Sequence, residues 1–304
     1  MKLTEILKSK NISDSSIKLY EANLKRLNDN KPITNLKFLK SPEVILEKIK
    51  DKSKSTIRSY IIAILSLLKE LPKTEKLYKS YYEYLIQYNK ELAINNGKSE
   101  KQKENWIEQS EVLNIFNELS QTIQILLKKK KINVIEYNEI LKWIILSLYT
   151  LQPPRRNLDY LKLKVIKNYK DDMDKEFNYL DLTNKKFIFN NFKTASTYKS
   201  QIIDISPELY SNILLFLKIH PNKTELKTDN VYFLVDHDGK HLDKNGITKN
   251  LYKIFKKKVG ASMLRNIYLT DKYSDKLKEL KTDASLMGTS SSTIENQYVK
   301  QADA

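Results

Sequence analysis

The sequence has no cysteine and no uninterrupted run of the roughly 18 apolar residues that a membrane-spanning helix needs. The first absence excludes a disulfide framework, a thiolate metal site and a thiol nucleophile. The chain also begins without the apolar core of a signal peptide, in the residues Met1-Lys2-Leu3-Thr4-Glu5. We therefore expect an intracellular protein that does not associate with a membrane.

Positive charge is what the chain has in excess. Its 54 Lys and Arg residues outnumber 37 Asp and Glu, which gives a net charge of +17 over 304 residues. A hydrophobic content of 40% at this length is enough for two domains with cores of their own. An AT-rich genome also raises lysine content, but the surplus of cations over acids favours a polyanionic partner, with nucleic acid ahead of a membrane surface.

Arginine is scarce in this lysine-rich chain, and its positions are informative. Besides Arg26 and Arg58, the arginines are Arg155, Arg156 and Arg265, which fall at two sites in the second half. The planar guanidinium binds two phosphate oxygens at once, which the point charge of lysine does not reproduce. These positions therefore indicate phosphate chemistry.

The first third of the chain has helical periodicity, and residues 1–96 are predicted to form a helical domain. Residues 97–105 lack an apolar period and are predicted to be a linker to a second domain, 106–304. The helix predicted from Thr74 to Ala93 alternates tyrosines with Lys76 and Lys79. This pattern is compatible with gripping a DNA backbone, and equally with tyrosines in the core and lysines on a solvated face.

The second domain is predicted to combine helices with a small sheet. Helical segments begin near Ser110 and at Val134, and the latter extends to Leu151. Alternating residues then predict three short strands over 179–182, 186–192 and 201–205. The expected fold is mainly α with a small antiparallel sheet, in the α+β class. Lys193 and Lys199 lie in the loop between the last two strands.

The C-terminal residues contain a recognisable arrangement. Gly288 can end a helix in the left-handed conformation, and Ser292 with Glu295 has the spacing of a capping box that starts the next helix. Tyr298 follows within that helix. This arrangement resembles the C-terminal signature of the tyrosine recombinases, or phage-type integrases, in which a nucleophilic tyrosine lies nine residues after a histidine. Thr289 stands at the histidine position here, nine residues before Tyr298.

Other positions extend the resemblance over the second domain. Arg156 precedes an acid by three residues and a leucine by seven, as the first catalytic arginine of that family does; Arg155 is the alternative. Lys193 matches the catalytic lysine of the family's β-hairpin, with Lys199 as the alternative. Arg265 matches the second arginine, whose box begins with His or Lys in the family but with Ser262 here.

The resemblance implies a helical core-binding domain followed by a catalytic domain that cleaves and rejoins double-stranded DNA through a 3′-phosphotyrosine. Tyr298 would be the nucleophile, Arg156 and Arg265 would bind the phosphate, and Lys193 would be the general acid. Ser262 and Thr289 would donate hydrogen bonds, although neither can replace a histidine as a base near neutral pH. Arg155, Lys199, Lys76 and Lys79 are candidate DNA-binding residues.

Such enzymes act as tetramers on paired DNA sites, and we expect a monomer or weak oligomer in solution. The chain is most similar to members from large DNA viruses and their satellite elements, which implies action where the DNA is, in a host nucleus or a viral replication compartment. No cofactor is expected, because the phosphotyrosine retains the bond energy and no phosphate-binding glycine loop is present. The sequence Asp236-His237-Asp238 is not expected to bind metal, since adjacent residues on a turn rarely converge on one ion.

Two alternatives remain open. A type IB topoisomerase-like enzyme would nick and reseal DNA by the same chemistry without exchanging partners. A DNA-binding relative without catalysis would account for the loss of both family histidines.

Overall fold

The computed structural model describes residues 3–10, 12–94, 97–228 and 231–300. The chain divides into two units, Met1–Lys98 and Ser99–Ala304, and each has a buried apolar core. The described residues are mainly helical with a small mixed sheet, so the predicted α+β class is confirmed. The predicted domain boundary at residue 96 lies outside the described residues.

The first unit consists of helices joined by short loops. Those helices are α1 (Leu3–Lys8), α2 (Asp14–Leu27), α3 (Pro42–Ile49), α4 (Lys54–Leu68) and α5 (Glu75–Ile94). Ser13 and Ser53 start α2 and α4, because each side chain accepts a hydrogen bond from the backbone N–H three residues on. Proline occupies the first turn of α3, where its missing N–H costs no hydrogen bond. The sequence predicted all of these helices except α1.

The boundary between the units is more ordered than predicted. Residues 97–105 were predicted to be a linker, and the structure forms a helix, α6 (Glu100–Asn105), within that segment. Ser99 and Gln102 form a capping box, in which each side chain bonds the other's backbone N–H. Hydrophobic periodicity could not predict this helix, because α6 is polar and has no buried residue.

The second unit begins with α6 and is larger. Its further helices are α7 (Gln109–Leu126), α8 (Val134–Thr150), α9 (Asn157–Leu161), α10 (Ala195–Tyr198), α11 (Pro207–Lys218), α12 (Gly246–Phe255), α13 (Ala261–Leu286) and α14 (Ser291–Thr293). A π-helical turn, Ile294–Tyr298, follows α14 directly. Helix α8 is buried along most of its length and packs against α7, α11 and α12, so it is the central element of this core.

A five-stranded sheet covers one side of the second unit. Its strands are β1 (Leu163–Ile166), β2 (Asn178–Asp181), β3 (Lys186–Phe189), β4 (Gln201–Asp204) and β5 (Val231–Tyr232), in the order β4-β3-β2-β1-β5. The three predicted strands are confirmed as β2, β3 and β4. The expectation of an antiparallel sheet is wrong for one pair, because the chain between β1 and β2 crosses back and pairs them in parallel.

Candidate active site

Three segments of the second unit that are distant in sequence line one cavity of about 340 Å³. The first runs from Gln152 to Asp159, the second is the hairpin around β3 and β4, and the third contributes Arg265 near the start of α13. Arg155 and Arg156 both line this cavity with Arg265. The structure therefore brings together the two arginine sites that the sequence indicated.

Local sequence explains how the arginines are presented. Helix α8 ends at Thr150, and Pro153 and Pro154 prevent it from continuing. Proline has no N–H to donate, and it disfavours the helical backbone conformation in the residue before it. The backbone stays extended up to Arg156, which precedes α9 with φ −78° and ψ 152°. Arg265 is placed by its helix, since Leu264 and Ile267 on either side are buried in the core.

Arg155 is held by the protein itself. Its Nε donates to Asp159 Oδ2 at 2.9 Å, and its Nη1 donates to Gln201 Oε1 at 2.9 Å. The guanidinium also lies 3.9 Å from the centroid of the Phe189 ring and 5.2 Å from that of Phe192. Arg155 therefore joins α9 to the sheet through two hydrogen bonds within the fold.

Arg156 and Arg265, unlike Arg155, are not bound by other side chains of the described residues. Within the described part of the chain, neither side chain has a hydrogen bond or an ion pair, and both are only partly buried. Burial lowers the pKa of Arg265, and the positive charges of Arg156 and Arg155 lower it further. The cavity thus holds positive charge that the protein does not neutralise, as a site for an anion would.

Two acids line the cavity with these arginines. Asp204 is exposed and forms an ion pair with Lys186 at 3.8 Å. The buried acid is Asp159. It is 1% exposed, and only its Oδ2 has a hydrogen-bond partner. Burial raises the pKa of its carboxyl group, and the ion pair with Arg155 opposes that rise. Asp159 is therefore paired directly with Arg155, whereas Arg156 and Arg265 have no ion pair within the described residues.

Asn178 connects the arginine segment to the hairpin loop, and the sequence did not point to it. Its Nδ2 donates to the carbonyl oxygens of Asp159 (2.7 Å) and Asn191 (3.0 Å). Its Oδ1 accepts from the backbone N–H groups of Asn190 (2.9 Å) and Asn191 (2.8 Å). Because the side chain is fully buried and makes four hydrogen bonds, it fixes the start of the loop against α9.

The hairpin loop places neither candidate lysine on the cavity wall. Lys193 and Lys199 are both exposed, and the loop residues that line the cavity are Thr194 and Tyr198. Between them the chain forms the single helical turn α10, which ends at Lys199 with φ +56°. Tyr198 was not singled out from the sequence, and it is 63% exposed.

The C-terminal candidates lie at the other end of α13. Gly288 follows this helix with φ +63°, so the predicted left-handed stop is confirmed. The predicted capping box of Ser292 and Glu295 is wrong. Ser290 is the N-cap of α14 instead, and its hydroxyl accepts from the N–H of Thr293 at 3.1 Å.

Tyr298 and Thr289 therefore do not line the arginine cavity in this conformation. Helix α13 is continuous from Ala261 to Leu286, so about 32 Å separates the Cα atoms of Arg265 and Leu286 at 1.5 Å per residue. Tyr298 is 56% exposed and has no hydrogen bond or ring contact with the described residues. Ser262 is an exposed residue in the first turn of α13, and it is not a lining residue either.

The candidate DNA-binding residues of the first unit lie on α5. Lys76 and Lys79 are exposed on this helix, and Tyr82 is 45% exposed and stacks on Tyr78 with 6.0 Å between ring centroids. Tyr81, in contrast, is fully buried and donates from its hydroxyl to the carbonyl oxygen of Leu39. The helix thus contains both a core tyrosine and an exposed surface where lysines and an aromatic ring lie together.

Asp236 has a structural role in the turn Asp236-His237-Asp238. Asp236 Oδ1 accepts from the N–H groups of Asp238 (3.0 Å) and Lys240 (2.9 Å), which closes the turn. In the part of the chain that the structure describes, no three His, Cys, Asp or Glu side chains are grouped so that they could hold a metal ion. None of the described helices has the length and apolar character needed to span a bilayer.

No protein-family model matches this chain, and neither the curated proteins nor the solved structures contain a significant match.

Proposed function

We propose that the protein is a site-specific DNA recombinase that cleaves and rejoins double-stranded DNA through a 3′-phosphotyrosine. The observation that carries this proposal is the convergence of Arg156 and Arg265 on one cavity from positions more than a hundred residues apart. Arginines without a protein partner are suited to bind a phosphate through two oxygens. The role of Tyr298 as the nucleophile comes from the resemblance to the tyrosine recombinases, in which the arginines and the tyrosine have this order and spacing.

In the proposed reaction the phenol of Tyr298 gives its proton to water, its oxygen attacks the scissile phosphorus, and the bond from phosphorus to the 5′-oxygen breaks. Lys193 gives a proton to that leaving oxygen, which becomes a free 5′-hydroxyl. Attack by a 5′-hydroxyl on the phosphotyrosine reverses these changes and reseals the strand. No external energy source is needed, since the number of phosphoester bonds is unchanged.

The arginines stabilise the negative charge that develops on the phosphate during this reaction. Arg156 and Arg265 bind the non-bridging oxygens, where negative charge increases in the transition state. Arg155 positions the segment through Asp159 and Gln201 and contributes its charge to the cavity. Ser262 and Thr289 are the proposed hydroxyl donors in place of the two family histidines, and a tetramer on paired DNA sites is the proposed assembly.

The first unit has a supporting role in this proposal. Lys76 and Lys79 on α5 contact the phosphate backbone away from the cleaved position, and Lys199 does so beside the cavity. Because each neutralised phosphate releases counterions, these lysines raise affinity for DNA without selecting a sequence.

A second candidate function is DNA binding without cleavage. It is favoured by the position of Tyr298 and Thr289 beyond the far end of α13, and by the exposed position of Lys193 outside the cavity wall. Under this candidate the arginine cavity holds a backbone phosphate and no covalent bond forms.

A covalent-trapping experiment separates the candidates. The full chain is incubated with a pool of nicked duplexes of randomised sequence, so that the 5′-end released by cleavage diffuses away and the adduct accumulates. We expect an adduct with the unaltered chain and with the control Tyr273→Phe, which changes an exposed tyrosine of α13. Tyr298→Phe should form none while binding the pool with unchanged affinity.

The other outcomes assign the alternatives. Binding that depends on Arg156 and Arg265 without any adduct would establish the non-catalytic candidate. An adduct that leads to plasmid relaxation, without exchange between two sites, would indicate a topoisomerase-like enzyme. An adduct that persists in Tyr298→Phe would refute the assignment of the nucleophile.

A further inference from the structure

The arginine cavity is larger than a phosphate group requires. Its volume of about 340 Å³ falls within the range of roughly 300–1,000 Å³ that is typical of sites for small organic ligands. Beyond the arginines, apolar surface from Pro153, Phe192 and Ile203 lines it. A second chemical group can therefore occupy the cavity beside a bound phosphate.

Gln152 presents an unused hydrogen-bond acceptor at this cavity. Gln152 Oε1 is buried and has no hydrogen-bond partner within the described residues. A buried acceptor without a donor is unfavourable in the unliganded protein, so the site is suited to a ligand that brings an N–H group.

Tyr198 provides an aromatic surface at the same cavity. Its side chain is 63% exposed, and no ring contact or hydrogen bond occupies it among the described residues. The loop that carries it is fixed at both ends, because Asn178 binds the backbone of Asn190 and Asn191, and Ser200 donates to Asn190 Oδ1 at 2.8 Å. An exposed ring on an anchored loop is a suitable platform for stacking a planar group.

From these features we infer that the cavity binds one unstacked nucleotide of the DNA strand whose phosphate the arginines hold. The phosphate contacts Arg156 and Arg265, the base stacks on Tyr198, and an exocyclic amino group of the base donates to Gln152 Oε1. Adenine, cytosine and guanine carry such a group and thymine does not. This inference rests on the proposed function in one respect, which is that the anion bound by the arginines is a DNA phosphate.

Binding measurements with one changing nucleotide test this inference. The probes are fluorescent duplexes that are identical except for a single unpaired nucleotide in one strand, which is cytosine, thymine or an abasic residue. With the full chain, we expect the cytosine probe to bind about tenfold more tightly than the abasic probe, since stacking on Tyr198 and the hydrogen bond to Gln152 together are worth that order of change. Thymine should lie between them.

Three variants, at two positions, show which residue causes each preference. Tyr198→Leu should remove the preference for a base over the abasic residue, and Tyr198→Phe should keep it because the ring is retained. Gln152→Met should remove the preference for cytosine over thymine and leave the preference for thymine over the abasic probe. Unfolding followed by tryptophan fluorescence confirms that each variant is folded.

The results distinguish failure of this inference from failure of the proposed function. Equal affinity for all three probes, with binding still lost in Arg156→Met and Arg265→Met, would overturn the nucleotide site and leave the phosphate site intact. Equal affinity for cytosine and thymine would overturn the role of Gln152. Binding that does not change in either arginine variant would overturn the phosphate site itself.

Discussion

Replacing Arg155 by methionine should destabilise the second unit, whereas the same change at Arg156 should not. Arg155 is paired with Asp159 where their side chains are 15% and 2% exposed, so the pair is shielded from water. Methionine keeps much of the apolar stem and removes the charge. Asp159 would then have no partner on either carboxylate oxygen, since Oδ1 already lacks one.

The expected loss follows from this geometry. Removing one partner of a buried ion pair typically costs about 3–5 kcal/mol, because the remaining charge is left buried and unpaired. With a urea dependence of about 2 kcal/mol per molar, the unfolding midpoint should fall by roughly 2 M. Arg156→Met, which breaks no bond within the described residues, should change stability by less than about 0.5 kcal/mol.

Tryptophan fluorescence is the suitable measurement, because Trp106 and Trp143 are the two tryptophans of the chain and both belong to the second unit. Urea unfolding can therefore be followed for this unit alone. Adding Asp159→Asn to Arg155→Met should restore part of the lost stability, since it removes the unpaired charge. Equal stability of the Arg155→Met and Arg156→Met variants would show that the two arginines are equivalent and refute the assignment of Arg155 to the fold.

Two other predictions concern the same unit. Burial raises the pKa of Asp159, so this carboxyl gains a proton at a higher pH than an exposed aspartate does, and DNA should bind more tightly as the pH falls below neutrality. Anisotropy titrations should show a weaker trend in Asp159→Asn, and an identical trend would exclude Asp159 as its source. The other prediction is that Tyr298 reaches the cavity of its own chain when α13 is interrupted near Thr270 and Ser274. The double variant Thr270→Ala, Ser274→Ala should stabilise the continuous helix by about 1 kcal/mol and therefore slow adduct formation about fivefold. An unchanged rate of trapping would instead favour delivery of Tyr298 to a second copy of the chain.

The sequence predicted those parts of the fold in which local pattern and tertiary packing agree. Helix α8 was predicted over 134–151 and spans Val134–Thr150, because its start is a capping box of Asn133 and Glu136 and its end is followed by two prolines. The strands β2, β3 and β4 were found for a similar reason. Their residues alternate or follow a clear turn, and they pair with neighbours close in sequence.

Strand β5 was missed because its partner β1 lies far earlier in the chain, with Val165 opposite Val231, and β1 was missed because its own pattern is weak. Lys164 occupies the second position of β1, where a solvent-facing residue would be expected from its charge. It is 8% exposed instead, and its Nζ lies 3.4 Å from the centroid of the Phe177 ring. Burial of a lysine against an aromatic ring removes the alternation on which strand prediction depends.

The arginine site was predicted in part. The scarcity of arginine identified all three cavity arginines, but it gave no indication of how they differ. The spacing of Arg155 and Asp159, four residues apart, is a signal that could have paired them. Asn178 offered no such signal, because its four hydrogen bonds reach backbone groups 12 to 19 residues away.

Helix α13 explains why motif spacing alone does not establish an assembled site. The sequence predicted that a helix ends at Gly288 and that Tyr298 lies in the next helical segment, and the structure has this order. The distance between Arg265 and Tyr298 depends on whether the 26 residues of α13 form one helix or two. The middle of the helix contains Thr270, Asp271 and Ser274, which are weak helix formers. Few buried contacts support that region, because α13 buries only Ala261, Leu264 and Ile267 near its start and Ala284 near its end. Few packing contacts therefore hold α13 continuous, and under the proposed function contacts with DNA or with another copy of the chain would decide where Tyr298 lies.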